Sequence, residues 1–290
     1  VGTPVSIQAR AFRGMRFDLV VIDAAAQATE PLSWIPILRA EMVVMAGDHC
    51  QLPPTIRSKD AAAGGLAVSL FERWHARLDE RSRTLLEQQY RMHERIMGFS
   101  SAMFYDGRLT ADASVRAHTL ADLPGVRRSA ETEAPLLFLD TAGKGFEDQI
   151  EPGSQSRFNP EEAALVLAEL RRLLAAGVPP ADIAVISPYS AQVRLLTSRS
   201  PDAAIQIDSV DGFQGREKEL VIVSLVRSNL EGELGFLGDT RRMNVAMTRA
   251  RRKLVVIGDS ATLASFPFYK DFIQYAESIG AYRSSWEDAE

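Results

Sequence analysis

Six short β-branched or aliphatic runs punctuate this 290-residue chain, with helical stretches between them. They are Leu19–Ile22, Met42–Ala46, Leu136–Leu139, Ile183–Ser187, Leu220–Val226 and Leu254–Ile257. A run that stays apolar without alternating must be covered on both faces, and strands joined through helices run parallel. The pattern predicts an α/β chain whose parallel sheets carry helices on both faces. The clearest of those helices is bounded by its own chemistry. Asn159 caps it, Pro160 takes its first position, Glu161 and Glu162 complement the helix dipole, and Gly177 ends it. Leu165, Leu167, Leu170, Leu173 and Leu174 supply its apolar side.

The length accommodates two domains. The stretch Thr110–Ala134 is polar and weakly periodic and reads as the link between them, with the division at residues 1–112 and 113–290. Gly143–Phe158, rich in Gly, Ser and Gln, reads as a surface loop. Cys50 is the single cysteine, so no internal disulfide forms, and a reducing, cytoplasmic setting is the simplest expectation. No run approaches the ~18 apolar residues of a membrane span, and the N-terminal V-G-T-P-V-S-I-Q-A-R lacks a signal pattern. The net charge of −5 gives no global positive field, which leaves a locally basic groove as the route to nucleic acid. Of the 33 basic residues, 28 are Arg and 5 are Lys. Arg suits bidentate phosphate recognition, although a composition bias accounts for most of the excess.

The chemistry-bearing segments sit at the ends of these runs. V-V-I-D-A-A-A-Q brings Asp23 to a strand end, where nucleotide-hydrolysing α/β domains hold Mg²⁺. The position that would carry a second acid, to orient or deprotonate water, is Ala24. V-V-M-A-G-D-H-C-Q-L-P-P delivers Asp48 and Gln51 from the next strand, as a polar sensor beside a γ-phosphate or as a simple double-proline turn. E-Q-Q-Y-R-M-H offers the Tyr90 ring for stacking and the Arg91 guanidinium beside it. In D-S-V-D-G-F-Q-G-R-E-K-E, Gly212 and Gly215 permit close backbone approach to a ligand, and Ser209 and Asp211 suit phosphate and sugar contacts. T-R-R-M-N-V-A-M-T-R-A-R-R ends in an arginine run, either an arginine finger or a basic helix before a strand. His49, His75, His93 and His118 lack metal-ligand spacing, and Cys50 reads as a packing residue.

Taken in order, these blocks resemble the up-frameshift-like, or immunoglobulin-mu-binding-like, branch of superfamily 1 helicases. The branch pattern D-E-A-A-Q, G-D-x-x-Q-L-x-P, Q-Y-R-M-H, S/T-P-Y, D-x-F-Q-G-R-E-K and R-R-x-N-V-A-x-T-R-A-R is met in every block but the first, across about residues 17–275. The resemblance implies two RecA-like domains, the first incomplete at its N-terminus, with ATP and Mg²⁺ as cofactors. It implies that Asp23 holds Mg²⁺, that Gln51 and Arg91 contact the γ-phosphate, and that Tyr90 stacks on adenine. Glu217 would touch the ribose, and Gly215 would be a further nucleotide-binding position. Arg249 would be the finger, with Arg251 the second candidate. Ser187, Pro188, Tyr189 and Gln192, with Ser209 and Asp211, would grip single-stranded DNA or RNA without reading sequence. Arg227 would couple the two sites. The implied activity is ATP-driven 5′→3′ translocation or unwinding, with protein partners as a further expectation.

Two departures qualify the resemblance. Ala24 stands where the branch has Glu, which leaves nucleotide binding and slows hydrolysis by ~10²–10⁴-fold on the scale of general-base loss. With every other block kept, the change reads more as a deliberate substitution that traps ATP than as natural decay. Natural decay is the alternative reading, a non-hydrolysing clamp for nucleic acid or protein. The second departure is that no G-x-x-x-x-G-K-[ST] phosphate loop occurs in the chain, so the resemblance implies a partner segment upstream that carries it.

Overall fold

The computed structural model describes residues 1–287, which fall into two compact units divided between Leu85 and Leu86. The α/β class expected from the apolar runs is the class observed.

In the first unit, β1 (Phe17–Ile22) pairs in parallel with β2 (Ala40–Met45), with Leu19 opposite Met42 and Val21 opposite Val44. The crossover helix α1 (Glu30–Ile37) and α2 (Leu70–Arg77) pack together through an edge-on Trp34–Trp74 contact at 5.9 Å. Ser69 caps α2 by accepting from the Glu72 amide. Helix cover falls on one face only. Leu19, Val21, Met42 and Val44, which share the other face by strand alternation, are exposed.

The second unit holds a six-stranded sheet. Its strands are β3 (Leu136–Asp140), β4 (Ile183–Ser187), β5 (Gln206–Ser209), β6 (Lys218–Ser224), β7 (Ala250–Gly258) and β8 (Tyr282–Ser284), in the order β8-β3-β7-β6-β4-β5. Every pairing is parallel. Leu220 and Ile222 point with Val255 and Ile257 into a core closed by Val166, Leu167, Leu170 and Leu173 of α4 (Pro160–Ala175) and Leu196 of α5 (Ser190–Arg199). On the opposite face, Phe138 meets Phe272 of α7 (Pro267–Ser278), and Phe99 of α3 (Glu94–Phe104) packs on Phe268 and Phe272. Helix α6 (Thr240–Met247) joins the same face. Both faces are therefore covered, as the unalternating strands require. The stretch expected as a link packs along this unit: Arg127 N–H donates to Ala176 O, and the buried Lys253 ammonium to Glu131 O and Ala134 O.

Helix α4 begins as its sequence dictates, with the Asn159 side chain accepting from the Glu162 amide and Pro160 in the first turn. Glu162 does more than complement a dipole. Its carboxylate is fully buried and accepts from Ser224 Oγ at 2.5 Å and from the Val226 amide at 2.9 and 3.1 Å. Val226 has φ 71°, a left-handed conformation that a β-branched residue adopts only under constraint. Asn159 Nδ2 donates to Val226 O at 3.2 Å, so both polar groups of the strained peptide unit are satisfied from the start of α4. The loop expected at 143–158 contains a two-residue hairpin, Gln149–Ile150 with Arg157–Phe158, and lowers Asp148 into the interior. There Asp148 accepts from Arg227 Nε, the Ser228 amide and Arg157. Burial alone would raise its pKa. The bonds from Ser228, Arg157 and Arg227 outweigh burial and hold it below the usual carboxylate range.

Two stability predictions follow from this core. Leu170→Ala, which opens a cavity between α4 and the sheet, should cost about 2–5 kcal/mol by denaturant unfolding. Glu162 is pushed up from 4.5 to about 7, chiefly by burial. A carboxyl raised in the folded state contributes stability that is complete below pH 4.5 and lost as pH rises through about 7. Glu162→Gln should therefore gain thermal stability relative to the parent between pH 5 and 8 on this account; a difference independent of pH would rule it out.

Candidate functional site

In the first unit the polar groups collect at the carboxyl ends of β1 and β2, where open α/β sheets receive ligands. The chain leaves β1 at Asp23, turns through Ala24 at φ 51° and ψ 36°, and returns as the Ala25 amide donates to Ala46 O at 2.8 Å. Ala46 N–H in turn donates to Ile22 O, which locks the two strand ends together. Gly47 is required by this closure, because a Cβ there would lie 2.9 Å from the Ala26 amide nitrogen. Asp23 is exposed, and one of its oxygens accepts from the Ala24 amide at 2.8 Å. Asp48 orients the following turn, accepting from the Cys50 amide at 2.9 Å and from Gln51 Nε2 at 2.7 Å. Mg²⁺ takes one or two carboxylates and completes its shell with water and phosphate oxygens. The exposed Asp23 carboxylate fits that requirement. Asp48, His49 and Cys50 also offer ligand atoms within 4.8 Å of one another, a grouping of neighbours in sequence that spacing rules did not single out.

In the second unit three sequence blocks meet, the first of them more than a hundred residues before the other two. Gln89 folds the Q-Y-R-M turn around its own amide, accepting from the Arg91 and Met92 N–H groups and donating to Met92 O. Tyr90 is left exposed and Arg91 is directed to Glu217, with which it forms an ion pair. Arg91 NH1 also donates to Thr248 O at 3.2 Å, and the His93 amide donates to Arg251 O at 2.9 Å. Thus Q-Y-R-M-H is tied to both F-Q-G-R-E-K and T-R-A-R. His93 is pushed down to about 4 by burial and by the neighbouring His118 and Arg95, so its imidazole is neutral near pH 7. Gly215 lies exposed in the loop at φ 77°.

The arginines of the last block differ in placement. One extra residue in β7 between Ala250 and Lys253 forms a bulge opposite Lys218–Leu220. Arg251 and Arg252 at that bulge both reach Glu219, at 2.8 and 2.7 Å. Arg249 is 3% exposed, its guanidinium directed at Val245 O, Arg216 O and Thr248 Oγ1. A finger role would require that side chain to leave an interior berth, whereas Arg251 is already half-exposed.

The strand-gripping residues also separate. Ser187, Tyr189 and Gln192 are buried, Pro188 is half-buried, and Ser209 and Asp211 lie at or near the surface. Gln192 accepts from the Asn159 amide and donates to Ser224 Oγ, which makes it part of the Glu162 network. Tyr189 OH donates to Leu234 O at 3.1 Å. Its hydroxyl and the Arg227 guanidinium both close on Gly235. Asp211 pairs with Arg242 at 2.5 Å. Sequence reasoning missed Glu162, Asp148 and Gln89 as organisers. Only Gln89 left a signal, its place inside the Q-Y-R-M-H block.

Two family models, each described as an AAA domain, match the chain, one over residues 1–59 and the other over residues 66–261. DNA-binding protein SMUBP-2 of Mesocricetus auratus is 48% identical over 275 residues, covering 93% of this chain and 28% of that protein. DNA polymerase alpha-associated DNA helicase A of Schizosaccharomyces pombe is 42% identical over 276 residues, covering 92% of this chain and 41% of its own length. An uncharacterized ATP-dependent helicase of Methanocaldococcus jannaschii is 42% identical over 275 residues, covering 92% and 40%. The chain thus spans well under half the length of these relatives. On the strength of the motif blocks, the family match over residues 66–261 and these relatives, the chain belongs to the AAA-domain family of superfamily 1 helicases.

Proposed function

We propose that this chain forms part of an ATP-driven helicase or translocase of the up-frameshift-like branch, moving 5′→3′ on single-stranded nucleic acid. The observation that carries the reading is the convergence of Arg91, Glu217, Thr248 and Arg251 within the second unit, since three separate blocks meet there through named bonds. The functional division we propose, residues 1–112 and 113–290, follows the order of the blocks, although Q-Y-R-M-H packs within the second compact unit. Asp23 would hold Mg²⁺, which when bound neutralises charge on the nucleotide phosphates. Gln51 and Arg91 would contact the γ-phosphate, Tyr90 would stack on adenine, Glu217 would touch the ribose, and Gly215 would be a further nucleotide-binding position. Either Arg249 or Arg251 would act as the finger; exposure favours Arg251 as the chain stands. The exposed apolar face of β1 and β2 suits a covering segment that bears the phosphate loop. Two of the relatives are named for DNA, which favours DNA as the strand.

Ala24 favours a second state of the same machine, one that binds ATP and strand but scarcely hydrolyses. No carboxylate stands there to orient water. With the phosphate-loop segment supplied, Ala24→Glu should raise ATP turnover by roughly 10²–10⁴-fold and make it responsive to added single strands. Turnover that rises without any response to nucleic acid would remove the motor reading. Turnover that does not rise would remove the role given to position 24.

A further inference from the structure

The turn Leu234–Gly238 is fixed from below and carries one aromatic ring outward. Tyr189 OH donates to Leu234 O at 3.1 Å, and Tyr269 OH donates to Leu237 O at 2.9 Å. Leu237 is buried between them. Gly235 sits so close that a Cβ would lie 2.7 Å from Arg227 NH1 and 2.9 Å from Tyr189 OH, with φ 56°. Two buried tyrosines and a required glycine therefore dictate where the next residue goes. That residue is Phe236, whose side chain is left 57% exposed. Its ring lies 5.6 Å from the Tyr189 ring, and the Arg242 guanidinium approaches it at 6.0 Å. Arg242 is itself held by Asp211. Beside the ring, Pro188, Val210 and Met243 line a shallow apolar cleft.

An exposed phenyl ring on a pinned turn loses little entropy on binding a planar partner, because its backbone is already ordered. Its neighbours are the segments 187–192 and 209–211, which carry the strand-gripping residues implied by the family pattern. Tyr189 itself is 2% exposed and cannot present a face to a base. We propose that Phe236 is the residue on which a base of single-stranded nucleic acid stacks, and that Tyr189 is the positioning residue beneath it. This rests on the reading that the chain binds single strands. A stacking face tolerates any base, which suits a protein that grips strands without reading sequence.

The test is fluorescence anisotropy of labelled oligo-dT and oligo-U with the 290-residue chain. Phe236→Ala should weaken binding about 10-fold, on the scale of one lost base–aromatic stack. The slope of affinity against salt should not change, because no phosphate contact is removed. The thermal midpoint should also hold, since the ring is solvent-facing. Phe236→Trp should keep the affinity, and its indole emission should be quenched by the strand. Tyr189→Phe should weaken binding in the parent and add nothing in the Phe236→Ala background, the non-additivity expected of a residue acting through another. Wild-type affinity in Phe236→Ala, or a loss accompanied by a changed salt slope or midpoint, overturns the stacking role alone. Additive losses overturn the positioning role. Absence of strand binding by the parent chain overturns both this inference and the reading beneath it. A preference for oligo-dT or oligo-U, with the same loss in each, identifies the natural strand and supports the assignment.

Discussion

The contact between the Glu162 carboxylate and the Ser224–Val226 backbone organises the working edge of the second unit. It draws the first turn of α4 against the end of β6 and holds Val226 in a conformation its side chain disfavours. Arg227 follows directly and is thereby aimed at Asp148 and Tyr189. Gln192 enters the same network through Ser224 and the Asn159 amide, which sets the start of α5. A carboxylate placed in a dry interior is costly unless it is fully bonded. Here the expense secures the relative placement of four segments that strand register alone does not determine.

Elements were legible in the sequence wherever local chemistry decides the outcome. Asn159, Pro160 and Gly177 bound α4 because capping, ring closure and positive φ act within a few residues. The apolar runs read as buried parallel strands because no alternation allowed an open face. The outer face of β1 and β2 departs from this rule, and Leu19 and Val44 stand exposed although their runs look as buried as β6. Cover depends on what lies against a strand, which its own residues do not encode.

The functional blocks were legible as chemistry and less so as geometry. A motif names a residue type without saying which way the side chain faces. Tyr189 and Gln192 carry the family pattern yet lie inside, and Arg249 lies deeper than Arg251 two residues on. Glu162 read as an ordinary first-turn acid because its partners, Ser224 and Val226, are over sixty residues away. Phe236 left no signal at all, since its exposure follows from Gly235 and two distant tyrosine hydroxyls.

The bulge in β7 has a consequence for how this block tolerates change in length. In a regular strand Arg251 and Arg252 would face opposite sides of the sheet, and one would enter the apolar layer beside Leu254. The extra residue lets both guanidiniums turn toward Glu219 at the rim. Deleting a single residue here would restore the regular register and leave one arginine, not two, opposite Glu219, so the spacing between Ala250 and Lys253 sets how many guanidiniums meet that carboxylate, whatever task the arginines perform.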